Sequence, residues 1–280
     1  MTHKTESPQP GGSPDAAAIA SAMELVFLGT GTSHGVPVIG CDCPVCTSPD
    51  SRNNRTRSSV LVRFSRPDAT ILIDSSIDFR QQMLRQRINR IDAILITHHH
   101  ADHILGLDDV RVFSDRQGRI NCYVPPFAAD RIGSVFAYAF NSPEMSTWGG
   151  LPQLSLQVIN GSVEVLGHRI TPIKLPHGPR ISVFGYRMGP LAYLTDCNDV
   201  PEEALGQLEG LDVLVLDALR QKPHPTHFSI DEAVAAARKI NPRRTFFTHI
   251  CHRVDHAALA ASLPENIQPA YDGLIVRIPG

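Results

Sequence analysis

The 280-residue sequence predicts an α/β protein built as a four-layer αββα sandwich, with two central sheets and helices on both outer faces. Three observations support this prediction. Short apolar runs typical of strands alternate with segments of helical periodicity, the two halves of the chain have similar patterns, and no Pro/Gly/Ser-rich linker divides them. There is also no internal repeat of fixed period, which excludes a solenoid.

The residue types predict where the strands and helices lie along the chain. Strands are predicted at Glu24–Leu28, Val60–Phe64, Thr70–Ile73, Ala93–Thr97, Asn121–Val124, Leu154–Val158, Arg169–Lys174, Val183–Arg187, Leu191–Thr195, Val213–Leu216, Thr245–Thr248 and Leu274–Ile278. Helices are predicted at Ile77–Arg87, His103–Ser114, Pro126–Phe140, Pro201–Glu209, Ile230–Ile240 and Asp255–Ser262. The helix from Ile230 is the best defined, because Ser229 and Glu232 form a capping-box pattern at its start.

Composition and charge exclude several classes of protein. The hydrophobic fraction of 42% is ordinary for a globular chain, and the formal net charge of −2 gives no general attraction to nucleic acid or anionic lipid. Residues 1–22 are rich in Pro, Gly, Ser and Ala and lack the pattern of an export signal, so we expect a disordered leader before a domain at residues 23–280. No apolar run reaches the roughly 20 residues of a membrane-spanning helix, and we expect a cytoplasmic protein.

A dense cluster of histidines directly follows the predicted strand Ala93–Thr97, where the sequence reads His98-His-His-Ala-Asp-His103. Side chains at strand ends are well placed to bind ligands, and imidazole and carboxylate bind Zn, Mn and Fe ions. His98 and His100 lie two residues apart and can converge on one ion. Asp102 and His103 lie one turn further on and can serve a second. Burying this cluster without a metal would cost roughly 1–3 kcal/mol for each unpaired group, so we predict a metal site.

The His-x-His-x-Asp-His pattern resembles the signature of the metallo-β-lactamase superfamily. The family's remaining positions occur in this chain in the family's order, each after a strand-like run, and they are Asp74, His177, Asp196 and His249. The resemblance implies the αββα fold and a hydrolase with two divalent ions, Mn or Zn, in its active site. It is specific for the fold and much less so for the substrate.

The resemblance also implies how these side chains share the two ions. One ion would be held by His98, His100 and His177. The other would be held by Asp102, His103 and His249, with Asp196 bridging the pair. Asp74 would orient a ligand histidine, and His99 would point away from the site.

A second metal site is indicated by Cys41, Cys43 and Cys46, which lie in a loop at residues 41–46. So tight a cluster in a chain without an export signal favours metal binding over disulfides. A structural zinc ion takes four ligands, and we predict His252 as the fourth, with Cys251 as the alternative.

Four short motifs narrow the resemblance to one branch of the superfamily. They are an initial Gly29-Thr-Gly, a Gly35-Val-Pro, the Cys-x-Cys-x-x-Cys and the Thr-His-x-x-His that ends at His252. Together they resemble the phosphoribosyl cyclic phosphodiesterases of phosphonate breakdown, the PhnP-type proteins. The pyrroloquinoline-quinone biosynthesis B protein has a similar cysteine cluster.

By resemblance to phosphodiesterases of this superfamily, ribonuclease Z included, Asp217 and His227 form a catalytic pair. The acid follows a strand, and the histidine precedes the helix that starts at Ile230. A carboxylate partner raises the pKa of an imidazole and favours the charged form, which can protonate a leaving oxygen. The alternative is that His227 only packs beside the helix start. Arg180 could neutralise a substrate phosphate, with an ordinary surface arginine as the alternative.

The expected function is therefore phosphodiester hydrolysis, in which two divalent ions activate the attacking hydroxide and His227 protonates the leaving oxygen. A cyclic ribose phosphate is the first expected substrate and a nucleotide the second. No membrane or large nucleic acid is expected as a partner, and a homodimer is one option for assembly. The alternatives are a tRNA 3′-processing endonuclease, a thioester or lactam hydrolase, and a metal-binding carrier without turnover.

Overall fold

The computed structural model describes residues 23–141 and 150–279, so the predicted leader at residues 1–22 lies outside the described residues. The strands, in chain order, are β1 (Met23–Gly29), β2 (Ser59–Ser65), β3 (Asp68–Ile73), β4 (Ala93–Leu95), β5 (Ile120–Val124), β6 (Leu154–Val158), β7 (Val163–Val165), β8 (His168–His177), β9 (Ile181–Met188), β10 (Leu191–Leu194), β11 (Val213–Asp217), β12 (Arg244–Thr248), β13 (Ile267–Pro269) and β14 (Ile275–Ile278). Within the described residues they form two seven-stranded sheets.

Both sheets are mixed, and each consists of an antiparallel half and a parallel half. The first has the order β14-β1-β2-β3-β4-β5-β6, and the second has the order β13-β12-β11-β10-β9-β8-β7. In the first sheet, β14 to β3 pair antiparallel and β3 to β6 pair parallel. In the second, β7 to β10 pair antiparallel and β10 to β13 pair parallel. The parallel half of each sheet ends in loops that can carry functional side chains.

Helices cover the outer face of each sheet. They are α1 (Phe79–Gln86), α2 (Ala101–Ile104), α3 (Arg111–Gln117), α4 (Pro126–Val135), α5 (Ala137–Phe140), α6 (Glu202–Leu205), α7 (Ile230–Ile240) and α8 (His256–Ser262). Helices α1 to α5 pack on the first sheet, and α6 to α8 pack on the second. The four-layer αββα fold predicted from the sequence is confirmed. No helix among the described residues combines the length and the apolar character needed to cross a lipid bilayer.

The continuous apolar runs in the sequence follow from sheets that are buried on both faces. In β1, Leu25 and Phe27 enter the core between the sheets, whereas Val26 and Leu28 pack under the helices. In β11, Val215 faces the other sheet and Leu216 faces the helix layer. Because successive side chains of a strand point to opposite faces, a strand that serves two cores is apolar at every position.

Three predicted helices are divided in the structure. Pro126–Phe140 forms α4 and α5, and Pro201–Glu209 forms α6 and a 3-10 turn at Gly206–Leu208. The third, expected at His103–Ser114, is split into α2, a 3-10 turn at Leu105–Val110, and α3. Gly106 lies so close to the preceding loop that an added Cβ would be 2.1 Å from the carbonyl oxygen of Ser76, which explains the tight local path. The three-residue strands β7 and β13 were not predicted, because runs this short carry too little periodicity.

Candidate active site

The predicted site residues lie at the ends of strands or on the segments that follow them. Asp74 follows β3, Asp196 follows β10 and His249 follows β12, and these three have left-handed φ angles of 63°, 55° and 60°. This conformation is unfavourable for residues with a Cβ and persists only where the surroundings enforce it, as they commonly do at functional sites. It turns the chain sharply at each strand end and directs the side chain across the edge of the sheet.

The first predicted ligand group comes together as expected. The candidate ligand atoms of His98, His100 and His177 all lie within 4.8 Å of one another. Nε2 of His98 is 2.9 Å from Nδ1 of His100. Nδ1 of His177 donates to the carbonyl oxygen of Thr226 at 2.9 Å, which leaves Nε2 of that ring free to bind an ion.

The second predicted group is equally compact. The ligand atoms of Asp102, His103, Asp196 and His249 lie within 4.8 Å of one another. Oδ1 of Asp196 is 3.4 Å from Nε2 of His103, and its Oδ2 is 3.4 Å from Nε2 of His249. Oδ2 also lies 4.0 Å from Nε2 of His98, in the first group. Asp196 is therefore the carboxylate between the two groups, where a bridging ligand would lie.

Electrostatics in these groups favours imidazoles that can donate a lone pair to a cation. Burial lowers the pKa of His98, His100 and His177 below the ordinary value and lowers the pKa of His249 to about 3. His103 differs, because the carboxylates of Asp196, Asp102 and Asp74 outweigh burial and raise its pKa well above the ordinary value. Its pKa therefore reflects the concentration of negative charge around the second group, which would attract a divalent cation.

Unpaired buried atoms provide a test of whether a metal fits here. Nε2 of His103 and both ring nitrogens of His249 are buried and have no hydrogen-bond partner in the described structure. A buried polar atom without a partner costs roughly 1–3 kcal/mol, and divalent cations satisfy this kind of nitrogen. The donor set of imidazoles and carboxylates thus fits Zn or Mn.

Asp74 lies behind the second group and contacts one of its histidines. Its Oδ2 accepts a hydrogen bond from Nδ1 of His103 at 2.7 Å, and its Oδ1 accepts from the backbone N–H of Thr97 at 2.8 Å. The carboxylate is fully buried and turns Nε2 of His103 towards Asp102 and Asp196. The contact is of the kind that an orienting carboxylate makes with a ligand histidine, which is the role that the resemblance implies for Asp74. His99 belongs to neither ligand group.

Asp217 and His227 meet at the edge of these groups. Nδ1 of His227 donates to Oδ2 of Asp217 at 2.7 Å, and the same oxygen accepts from the backbone N–H of Cys197 at 3.1 Å. The His227 ring is stacked on the His249 ring, with 4.6 Å between centroids. Burial alone would lower the pKa of His227, but the carboxylate of Asp217 raises it to about 9. Burial raises the pKa of Asp217 to about 6.

The cysteine loop forms a separate group with His252. Nδ1 of His252 lies 3.3 Å from Sγ of Cys41, 3.7 Å from Sγ of Cys43 and 3.6 Å from Sγ of Cys46. These separations match the edges of a tetrahedron around zinc, whose bonds are about 2.3 Å to sulfur and about 2.0 Å to nitrogen. Sγ of Cys251 instead accepts from the backbone N–H of Arg253. The structure thus brings His252, and not Cys251, among the three sulfurs.

Charge on the thiols also suits a metal. The backbone N–H of Cys46 lowers the pKa of the Cys43 thiol to about 6, and burial raises the pKa of the Cys46 thiol to about 11. One thiolate therefore forms readily at neutral pH. A bound cation would favour deprotonation of the others, because metal ligands are thiolates.

A cleft of about 260 Å³ opens beside His227 and His249. It is lined by Thr32, Ser33, His34, Leu219, Arg220, His224, His227, His249, Cys251, His252 and Arg253. None of these lining residues is acidic, and two are arginines. The cleft therefore suits an anionic substrate.

Sequence reasoning missed the arginines of this cleft. Arg180, the predicted phosphate contact, lines a different groove with Lys174 and Glu203. Arg220 occupies the loop between β11 and α7, three residues after Asp217, and the resemblance that indicated Asp217 did not extend to it. Arg253 follows His252 directly, but nothing in the sequence indicated that its side chain borders the cleft.

Comparison with known proteins shows the family to which this chain belongs. The family described as Beta-lactamase superfamily domain matches residues 69–250. An octanoyltransferase from Porphyromonas gingivalis (strain ATCC BAA-308 / W83) is 35% identical over 256 residues, which is 90% of this chain and 51% of the relative. The chain thus spans about half the length of that curated relative.

Two solved structures match most of this chain and nearly the whole of their own chains. A diphosphatase from the PhnP family is 42% identical with a TM-score of 0.83, and the match covers 91% of this chain and 97% of that one. Zn(2+)-bound PqqB from Methylobacterium extorquens, at 23% identity, has a TM-score of 0.75 with 90% and 99% coverage. The latter likeness shows the shared fold alone. This chain belongs to the metallo-β-lactamase superfamily of metal-dependent hydrolases and, within it, to the PhnP family.

Proposed function

We propose that the protein is a metal-dependent phosphodiesterase, with two divalent ions at the His/Asp groups and one structural zinc ion at the cysteine group. The observation that carries the proposal is the Asp217–His227 pair, which lies beside the seven clustered side chains and whose histidine borders a cleft without acidic lining. A purely metal-storing protein has no use for a charged proton donor at this position.

The residues that would hold the catalytic ions are those of the two groups, with Asp196 shared between them. When bound, the ions supply Lewis acidity that makes water nucleophilic near neutral pH and neutralises phosphoryl oxygens. Mn and Zn both suit this set of nitrogen and oxygen donors. Asp74 keeps His103 in one orientation, so that Nε2 faces the group.

His227 supplies the proton that the leaving oxygen needs. With Nδ1 bonded to Asp217, Nε2 is the ring nitrogen left for a substrate, and a ligand atom of His227 lies within 4.8 Å of ligand atoms of His177 and Asp196. In the metal-free protein the raised pKa keeps this imidazole protonated at neutral pH. A departing alkoxide would take its proton from this ring, which lowers the barrier for breaking the P–O bond.

The cleft favours a small phosphorylated substrate. Its volume of about 260 Å³ is near the lower end of ligand sites, which is sufficient for a sugar phosphate or part of a nucleotide. Arg220 and Arg253 provide positive charge on its wall. A cyclic ribose phosphate is the substrate that we propose first, and a nucleotide phosphodiester second.

A second candidate function is hydrolysis of a diphosphate linkage, because the PhnP-family relative at 42% identity is described as a diphosphatase. A phosphate leaving group departs readily without protonation, whereas a sugar alkoxide does not. The buried Asp217–His227 pair therefore favours an ester over an anhydride as the physiological substrate.

Turnover with defined leaving groups tests the proposal. The metal-free protein is loaded with Mn²⁺ or Zn²⁺ and assayed with bis(p-nitrophenyl) phosphate, a ribose cyclic phosphate and a dinucleoside diphosphate. We expect turnover of both esters, with the diphosphate hydrolysed more slowly. Faster hydrolysis of the diphosphate would support the second candidate. No turnover of any of the three with either metal would refute hydrolysis and favour a metal-binding carrier.

A further inference from the structure

Arg55 is the largest fully buried side chain in the described structure, with an exposed fraction of 1%. Its backbone pairs with Val36, since each residue donates an N–H to the other's carbonyl oxygen, at 2.7 and 2.8 Å. Burial lowers the pKa of its guanidinium to about 10, so the group is charged at neutral pH. A buried charge is costly unless its hydrogen bonds are well made, and the partners of this one identify its role.

The hydrogen-bond acceptors of the guanidinium are neutral oxygens, of which two are carbonyl oxygens of one backbone turn and one belongs to the side-chain amide of Asn53. Nη1 of Arg55 donates to the carbonyl oxygen of Cys251 at 3.1 Å. Nη2 donates to the carbonyl oxygen of Val254 at 2.9 Å and to Oδ1 of Asn53 at 2.8 Å. None of the three acceptors is a carboxylate, so the guanidinium is placed to hold a backbone shape and not to neutralise a charge.

The turn that Arg55 holds carries His252. The backbone N–H of Val254 donates to the carbonyl oxygen of Cys251 at 3.2 Å, which closes a turn over His252 and Arg253. One guanidinium thus bonds to the carbonyl groups at both ends of this turn. It fixes the direction in which the His252 ring leaves the backbone towards the cysteine sulfurs.

The same segment also carries His249, which lies only two residues before the turn. The backbone between His249 and the turn is held by two neighbouring segments. The N–H of Ile250 donates to the carbonyl oxygen of Thr30 at 2.9 Å, and the N–H of Cys251 donates to the carbonyl oxygen of Leu219 at 3.0 Å. His249 itself has the left-handed φ of 60°. A strained residue keeps its conformation only when its neighbours are held, and Arg55 holds the far end of this segment.

We propose that Arg55 is a positioning residue that fixes His249 in the His/Asp group and His252 in the cysteine group through one turn, so that the two candidate metal centres are assembled together. This inference rests on the proposed function only in taking His249 as a metal ligand. The side-chain hydrogen bonds of Arg55 go to Asn53 and to the carbonyl oxygens of Cys251 and Val254, so it acts through the backbone of residues 249–254.

Three variants test the inference through metal binding, with wild-type protein beside them. Arg55→Met removes every donor to the turn, and Arg55→Lys keeps the charge with a head group that reaches fewer acceptors. Arg244→Met is the control, because that guanidinium is partly buried and bonds to Asp212 and to the carbonyl oxygen of Arg277, at the opposite end of β12 from His249.

The readouts are Mn²⁺ affinity of the metal-free protein, measured by electron paramagnetic resonance, and retention of zinc against a chelator. We expect Arg55→Met to weaken Mn²⁺ binding at least tenfold and to release zinc faster, with Arg55→Lys between it and the wild type. Arg244→Met should bind both metals like the wild type even where its melting temperature falls. Circular dichroism reports which variants are folded.

Wild-type metal binding in folded Arg55→Met would overturn the inference and leave Arg55 with a role in stability alone. If Arg55→Met does not fold, Arg55→Lys decides, since unchanged Mn²⁺ affinity and zinc retention in that variant would overturn it equally. Phosphodiester turnover is measured on the wild type separately. Its absence would refute the proposed function without changing the outcome of the metal titrations.

Discussion

Nδ1 of His227 donates a hydrogen bond to Oδ2 of Asp217 across 2.7 Å. The same distance separates Nδ1 of His103 from Oδ2 of Asp74, in the other half of the molecule. The two carboxylate–imidazole pairs differ in where the second ring nitrogen lies. That of His103 lies between two carboxylates of the second ligand group, whereas His227 borders the open cleft. We therefore propose ligand orientation as the role of the Asp74–His103 pair and proton donation as the role of the Asp217–His227 pair.

Replacing His227 should separate metal binding from proton donation. We expect His227→Asn to retain the metal content of the wild type and to lower kcat for a ribose cyclic phosphate by about 10²–10⁴-fold, the usual contribution of a general acid. With bis(p-nitrophenyl) phosphate the loss should be much smaller, because p-nitrophenolate departs without a proton. Equal losses for the two substrates would remove His227 from the role of proton donor.

The titration of His227 follows from its pairing with Asp217. In the metal-free protein burial would lower its pKa, but the nearby carboxylate raises it to about 9. The proton should therefore be retained at neutral pH and lost as the pH rises through about 9. In Asp217→Asn, burial is no longer opposed by that carboxylate, so the midpoint should fall towards or below the ordinary value of about 6.5. Histidine NMR signals across the pH range measure both midpoints, and an unchanged midpoint in the variant would contradict the assignment.

Asp196 is shared between the two ligand groups, so its removal should affect both ions. We expect Asp196→Ala to lose most of its Mn²⁺ or Zn²⁺ at the His/Asp groups and nearly all activity, while the zinc at the cysteine group stays. Metal content by mass spectrometry on the dialysed protein measures this. Asp102→Ala is the control, because Asp102 belongs to the second group alone and should spare an ion at His98, His100 and His177. Retention of two ions by Asp196→Ala would exclude a bridging position.

Substitutions of His252 and of the adjacent Cys251 identify the fourth ligand of the structural zinc. We expect His252→Ala and Cys46→Ser to lose the structural zinc and Cys251→Ser to keep it, because only His252 lies among the three sulfurs. Cobalt substitution distinguishes the variants, since thiolate ligands give Co²⁺ an intense charge-transfer absorption. Loss of that absorption in Cys251→Ser alone would restore the alternative that the sequence left open.

Most of the candidate site could be predicted from the sequence, because the ligands lie at strand ends or on the segments that follow them. The ends of parallel strands meet at one edge of a sheet, so Asp196, Asp217 and His249 could be placed near one another from strand patterns and the family's order. Strand patterns could not predict whether Arg180 or Arg220 borders the cleft. Both occupy loops, and the path of a loop, not its composition, decided which arginine borders the cleft.

Features that depend on tertiary packing could likewise not be predicted from the sequence. Residues His103–Ser114 have helical periodicity, yet the close approach of Gly106 to Ser76 divides them into shorter pieces. The role of Arg55 could not be predicted either, because its partners Cys251 and Val254 lie about two hundred positions away in the chain. Contacts at such separation leave no periodic signal in the sequence.

Anomalous diffraction from crystals of the Mn²⁺-loaded protein tests the central claim most directly. Data collected on both sides of the Mn and Zn absorption edges locate and identify each ion. The account predicts two ions at the His/Asp groups, joined by Asp196, and one zinc ion among Cys41, Cys43, Cys46 and His252. A single ion at the His/Asp groups, or ions that are not in contact with Asp196, would contradict it.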